Sequence, residues 1–202
     1  MITFLIVLSL AVLFVLSVAL IEYLFRNKNV RKESIRIIIR IFTGLFFIFL
    51  YLNFNISYFV LIVFVSLFIM IFSFTFNIFT SIHSVERKTY GEIFFPLGVL
   101  ITLWISYPFS SIFLSSLLIL TFADSLAVIP GFLKKSQKKT ILGSLVFFIT
   151  SFIILTLIFQ SIDIYITVII SLILTFIEFI SIYGLDDLFV PTIASILLLF
   201  LK

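Results

Sequence analysis

One stretch constrains this chain more than any other: from Ile41 to Val85 it runs 45 residues without an Asp, Glu, Lys or Arg. A water-soluble fold cannot cover such a stretch, whereas two membrane crossings of roughly 20 residues each use it fully. Asn53-Phe54-Asn55 supplies a turn between them. Hydrophobic residues make up 63% of the 202 positions and charged residues 11%, too few for a soluble surface of ordinary polarity. The expectation is an all-α polytopic membrane protein, with residues 1–202 as a single domain.

The charges fix the expected orientation. Twelve of the thirteen basic residues fall between Arg26 and Arg40, at Arg87-Lys88, or between Lys134 and Lys139, and the exception is Lys202. Every second gap between apolar runs is therefore basic, and the gaps between them are nearly uncharged. This is the distribution of a protein whose basic loops stay in the cytosol. Apolar runs lie over about 2–25, 35–52, 56–82, 93–107, onward to about Pro130, then 140–159, 164–183 and 187–201. Counted this way there are about eight transmembrane helices, seven if the short last run stops within the bilayer, and eight crossings put both termini outside. No basic segment precedes the first run, so an uncleaved first helix is expected rather than a secretory leader. Eight of the nine acidic residues lie in or beside the basic gaps, leaving Asp163 on the far side.

Several chemistries drop out. The chain has no cysteine and one histidine, which removes disulfides, thiolate metal centres and a histidine-paired zinc site. The basic loops are accounted for by topology and by anionic lipid headgroups, so the expected partners include the bilayer and no nucleic acid.

The polar residues that remain are costly and clustered. Asp124, in the segment FADSLAVIPG (122–131), sits within an apolar run, where a carboxylate costs roughly 2.5–3.5 kcal/mol and needs water or a partner. Thr121 and Ser125 flank it. The segment KKTILGS (138–144) places Lys138 and Lys139 before a helix, with Thr140 as N-cap and Gly143 and Ser144 in the first turn, a pattern suited to phosphate. HSVERKTYGEIFFPLG (83–98) carries Arg87, Lys88, Gly91 and Glu92. EFISIYGLDDLFVP (178–191) carries Glu178 on a face shared with Ser171 and Thr175, then the adjacent carboxylates Asp186 and Asp187. Neighbouring carboxylates repel unless a cation compensates them, so these suit a hard metal, although Asp187 also suits a helix cap. The run Ser66, Ser73, Asn77, Thr80, Ser81, Ser84 makes one polar helix face, read either as helix packing or as a cavity wall.

Carboxylates and basic helix starts on one membrane face suit a metal-bound nucleoside triphosphate arriving from the cytosol and a lipid arriving laterally. Over about residues 31–195 the chain resembles the CTP-dependent lipid kinases that include dolichol kinase, phytol kinase and the yeast-type diacylglycerol kinase. The resemblance rests on RKTYGEIFFPLG, on ADSLAVIPG followed by KKTILGS, and on EFISIYGLDDLFVP, in that order. It implies transfer of the γ-phosphoryl group of CTP, or a related nucleotide, to a lipid hydroxyl with Mg²⁺. The acceptor expected is an isoprenoid alcohol of the polyprenol, phytol or geranylgeraniol type.

Asp124 is then expected as metal ligand or base, with Glu92, Glu178, Asp186 and Asp187 completing the metal shell. Lys139 with Arg87 and Lys88 is expected to hold phosphates, helped by Gly91, Lys138, Thr140, Gly143 and Ser144. Two alternatives remain at this point: a cytidylyltransferase, which would release pyrophosphate rather than CDP, and a small transporter, whose ionisable groups should lie near the midplane.

Overall fold

A computed structural model describes residues 2–26, 32–76, 90–133 and 139–202. Arg87, Lys88 and Lys138 lie outside the described residues, as do Asn77, Thr80, Ser81 and Ser84 of the polar stripe. The described residues are helical and include no strand. Among the described residues, four stretches are long and apolar enough to cross a membrane: Ser34–Asn53, Ile56–Phe76, Ser110–Gly131 and Ile141–Ile158. Leu5–Ile21, Gly91–Ser106 and Ile164–Ile180 are shorter apolar helices.

The chain divides into two compact units, Met1–Lys88 and Thr89–Lys202. The first holds α1 (Ile2–Arg26), α2 (Lys32–Asn53) and α3 (Ile56–Phe76). Val18, Ile35 and Ile39 form a buried contact between α1 and α2. Phe14 stacks on Phe46 at 4.2 Å between ring centroids, and Phe47 meets Phe59 edge-on at 6.2 Å. Such ring geometries add directional attraction to area burial. The break at Phe54-Asn55 falls where the polar residues anticipate it, with the Asn55 side chain accepting from the Ser57 amide. Ser73 is buried and Ser66 half-buried, and Ser66 donates to the carbonyl of Val63.

The second unit holds α4 (Gly91–Ser106), α5 (Ser110–Leu118), α6 (Asp124–Leu133), α7 (Ile141–Ile158), α8 (Ile164–Ile180) and α9 (Asp186–Leu199). A π-helical turn, Ile119–Ala123, joins α5 to α6. Its core contains Ile112, Ile119, Phe147, Leu155, Ile170, Leu174, Val190 and Ala194. Within it Ser116 on α5 and Ser195 on α9 share a buried hydrogen bond of 2.9 Å, which satisfies both hydroxyls where no lipid or water can.

Glycine sets the closest approaches. A Cβ at Gly98 on α4 would stand 2.3 Å from the Asp187 carbonyl oxygen, and one at Gly143 on α7 would stand 2.4 Å from the Ala127 carbonyl oxygen on α6. Helix backbones meet there because neither glycine has a side chain. Helix α8 stops at Ile180, earlier than the apolar run suggests, because Ser181 is already extended. The turn that follows needs positive φ at Tyr183 (57°) and Gly184 (84°). It is clamped by the Tyr90 amide donating to the Tyr183 carbonyl at 2.9 Å.

Candidate functional site

The π turn and the Gly143 contact together place Asp124. A π turn inserts one extra residue, rotating the following helix by about 100° relative to a continuous α-helix. Asp124 begins α6 immediately after that turn and is 4% exposed. It lies three residues before Ala127, on the same helix face, and Ala127 is the residue against which Gly143 packs. Asp124 thus faces the start of α7. Nothing in the local sequence marks the π turn beyond a carboxylate set in an apolar run.

The start of α7 is built as its sequence suggests. Thr140 is the N-cap, with extended backbone, and its Oγ1 accepts from the Gly143 amide at 3.1 Å. One turn on, Ser144 donates to Glu178 Oε2 at 3.2 Å. Lys139, just before the cap, reaches across to the opposite side. Its Nζ lies 2.9 Å from Glu178 Oε1 and 2.7 Å from Asp186 Oδ2, and it also donates to the Glu178 backbone carbonyl. Glu178 lies in the last turn of α8 and Asp186 begins α9, so the cluster gathers the ends of three helices with the start of α6. Burial by itself would lower the Lys139 pKa, but the carboxylates of Asp186, Glu178 and, more weakly, Asp124 outweigh it and raise the ammonium above its ordinary range.

Asp124, Glu178 and Asp186 each offer an oxygen, and these oxygens lie within 4.8 Å of one another. Oxygens bound to one magnesium stand roughly 2.9–4.1 Å apart, given bonds of about 2.0–2.1 Å in an octahedron. A small inward movement would bring the three to that spacing. Two of the three carboxylates, Glu178 and Asp186, already attract a cation, the Lys139 ammonium. The donor set therefore fits a hard divalent cation.

Other residues expected at the site are placed differently. Glu92 lies in the first turn of α4 and Asp187 in the first turn of α9, and neither belongs to the three-carboxylate group. Leu185, not Asp187, holds the N-cap position of α9, and Asp186 Oδ1 accepts from the Asp187 amide at 3.2 Å. Both acids favour the positive end of that helix dipole. Gly91 is pressed against Gly184, where an added Cβ would stand 2.5 Å from the Gly91 nitrogen. The missing side chain of Gly184 thus serves a backbone contact. Gly143 serves one too. Ser125 is fully buried, and its hydroxyl has no hydrogen-bond partner among the described residues. Ser144 gains a specific partner that the sequence could not supply, because Glu178 lies 34 positions away.

Comparison with protein-family models, with curated proteins and with solved structures gives no match.

Proposed function

We propose that this chain is an integral membrane lipid kinase, transferring the γ-phosphoryl group of CTP or a related nucleoside triphosphate to the hydroxyl of a membrane lipid. The acceptor proposed is an isoprenoid alcohol. The observation that carries the reading is the convergence of Asp124, Glu178 and Asp186 around Lys139, from segments far apart in the chain. Phosphoryl transfer needs little covalent help from a protein; it needs positioning and neutralisation of charge on the phosphate oxygens. Bound among these carboxylates, Mg²⁺ would supply that neutralisation. Asp124, the most buried of the three groups along an apolar helix, is the residue proposed to hold the metal or to accept the proton of the lipid hydroxyl.

Helix length supports a lipid acceptor. Helices α4, α8 and α9 have 16, 17 and 14 residues, or about 24, 26 and 21 Å at 1.5 Å per residue. A hydrocarbon core is about 30 Å thick, so polar groups at the ends of such helices lie close to the level of the acyl chains and headgroups. A hydroxyl carried on an apolar tail reaches that level without leaving the bilayer.

In the topology proposed, the chain crosses about eight times and its basic loops lie in the cytosol. The starts of α4, α7 and α9 and the end of α8 then share the cytoplasmic side, where the nucleotide is. Exposed aromatics at the opposite ends, Trp104 at 82% and Tyr165 at 79%, suit an outer interfacial belt. The reaction is tested by supplying purified protein with γ-labelled CTP, ATP or UTP, Mg²⁺ and a panel of lipid alcohols. A labelled lipid phosphate with release of nucleoside diphosphate supports the kinase. Release of pyrophosphate instead identifies a cytidylyltransferase.

A further inference from the structure

The ammonium expected to hold phosphate is already engaged. A lysine carries three N–H donors, and three acceptors surround Lys139 Nζ: Asp186 Oδ2 at 2.7 Å, Glu178 Oε1 at 2.9 Å and the Glu178 carbonyl oxygen. In this arrangement no donor remains for a phosphate oxygen. The same ammonium sits against two of the three carboxylates that a divalent ion would use. An ion held by these carboxylates would compete with Lys139 for the same two partners and repel its like charge.

We propose that Lys139 is an exchangeable internal cation: a divalent ion entering among Asp124, Glu178 and Asp186 displaces its ammonium, which then turns to the phosphate oxygens that accompany the ion. The proposal rests on the reading of this cluster as a cation site and adds how that site is regulated. With no metal, the ammonium compensates the carboxylates and holds the ends of α8 and α9 together. Once the ion provides that compensation, the ammonium becomes free to bind phosphate.

Two features favour exchange over a permanent ion pair. The Lys139 side chain is 23% exposed, against 6% for Glu178, so the lysine has a way out while the carboxylate is held. Glu178 keeps a second anchor in Ser144, which binds Oε2 rather than the oxygen paired with Lys139. A lysine suits the task because its charge is compact and its stem flexible, whereas arginine would be locked in place by a bidentate fork. One consequence is cooperativity: phosphate stabilises the displaced lysine and so favours the ion, and the ion in turn favours phosphate.

The test uses full-length protein in detergent, with Mn²⁺ titrated by electron paramagnetic resonance in the absence of nucleotide. Lys139→Met removes the internal competitor, so Mn²⁺ should bind about tenfold more tightly than to the wild type. On the wild type itself, acylation of the Lys139 amine, read by mass spectrometry, should rise several-fold on adding Mn²⁺. This second measurement decides the matter even if Lys139→Met does not fold. Equal Mn²⁺ affinity in the two proteins, or acylation unchanged with Mn²⁺ bound, overturns the exchange and leaves the cation site standing. Failure of Mn²⁺ to bind either protein overturns the cation site and the exchange together.

Discussion

Gly143→Ala sets two opposing effects against each other, and the structure decides between them. Alanine in a helix interior is better than glycine by roughly 0.5–1 kcal/mol, through backbone entropy alone. The added Cβ, however, would stand 2.4 Å from the Ala127 carbonyl oxygen. Backbone cannot swing aside as a flexible side chain would. Restoring an ordinary contact of at least 3.4 Å requires α6 and α7 to separate by about 1 Å. Overpacking of that kind costs about 1–3 kcal/mol, so a net loss of about 1–2 kcal/mol is expected.

The displacement also reaches the site. Asp124 lies one turn before Ala127 on α6, while Ser144, which anchors Glu178, follows Gly143 directly on α7. Separating the helices moves Asp124 away from Glu178 and Asp186, and a 1 Å misplacement of reacting groups costs on the order of 10²-fold in turnover. The assay is thermal unfolding in detergent alongside lipid phosphorylation and Mn²⁺ affinity. The alanine variant should melt earlier and lose activity although no polar atom has been changed. An alanine variant at least as stable as the wild type, with unaltered Mn²⁺ binding, would refute the close approach of α6 and α7.

Gly184→Ala should destabilise the second unit by about 1 kcal/mol or more, because φ of 84° strains any Cβ and the new atom would meet the Gly91 backbone at 2.5 Å; a melting temperature equal to the wild type's contradicts this. Trp104 is the only tryptophan in the chain and is 82% exposed, so its fluorescence should be quenched by lipids brominated near the headgroup and scarcely by aqueous iodide; the reverse pattern would remove α4 from the bilayer. Lys139 has its pKa raised in the folded state, so its ion pairs contribute fully below the unfolded lysine value of about 10.4 and are lost only as pH rises through the folded value. The difference in melting temperature between wild type and Lys139→Met should therefore stay level from about pH 7 to about pH 9.5 and shrink only above about pH 10.4; a difference that disappears near neutrality contradicts the pairing.

The helices were legible because their signals are local. Uncharged apolar runs, the Asn53-Phe54-Asn55 break, the Tyr107-Pro108 junction and the Gln160–Asp163 turn each depend on a few adjacent residues. The Thr140 cap was legible for the same reason: its partner, Gly143, is three residues away. What escaped is tertiary. Gly91 and Gly143 looked like phosphate-loop residues, and only the fold shows each meeting another segment's backbone. The partners of Lys139 lie 39 and 47 positions downstream, so the sequence offered a cation and several carboxylates without saying that they would pair. The π turn before Asp124 has no compositional mark, because inserting one residue in a helix changes register and not residue type.

The proposed function requires Asp124, Glu178 and Asp186 to act as one centre for phosphoryl transfer. Its most direct test compares wild type with Asp124→Asn, both reconstituted in liposomes containing an isoprenoid alcohol and given γ-labelled CTP and Mg²⁺. The wild type should yield labelled lipid phosphate, while the variant, equally folded by its melting curve, should yield none above background. Equal label from both proteins, or no label from the wild type with any nucleoside triphosphate, would contradict it.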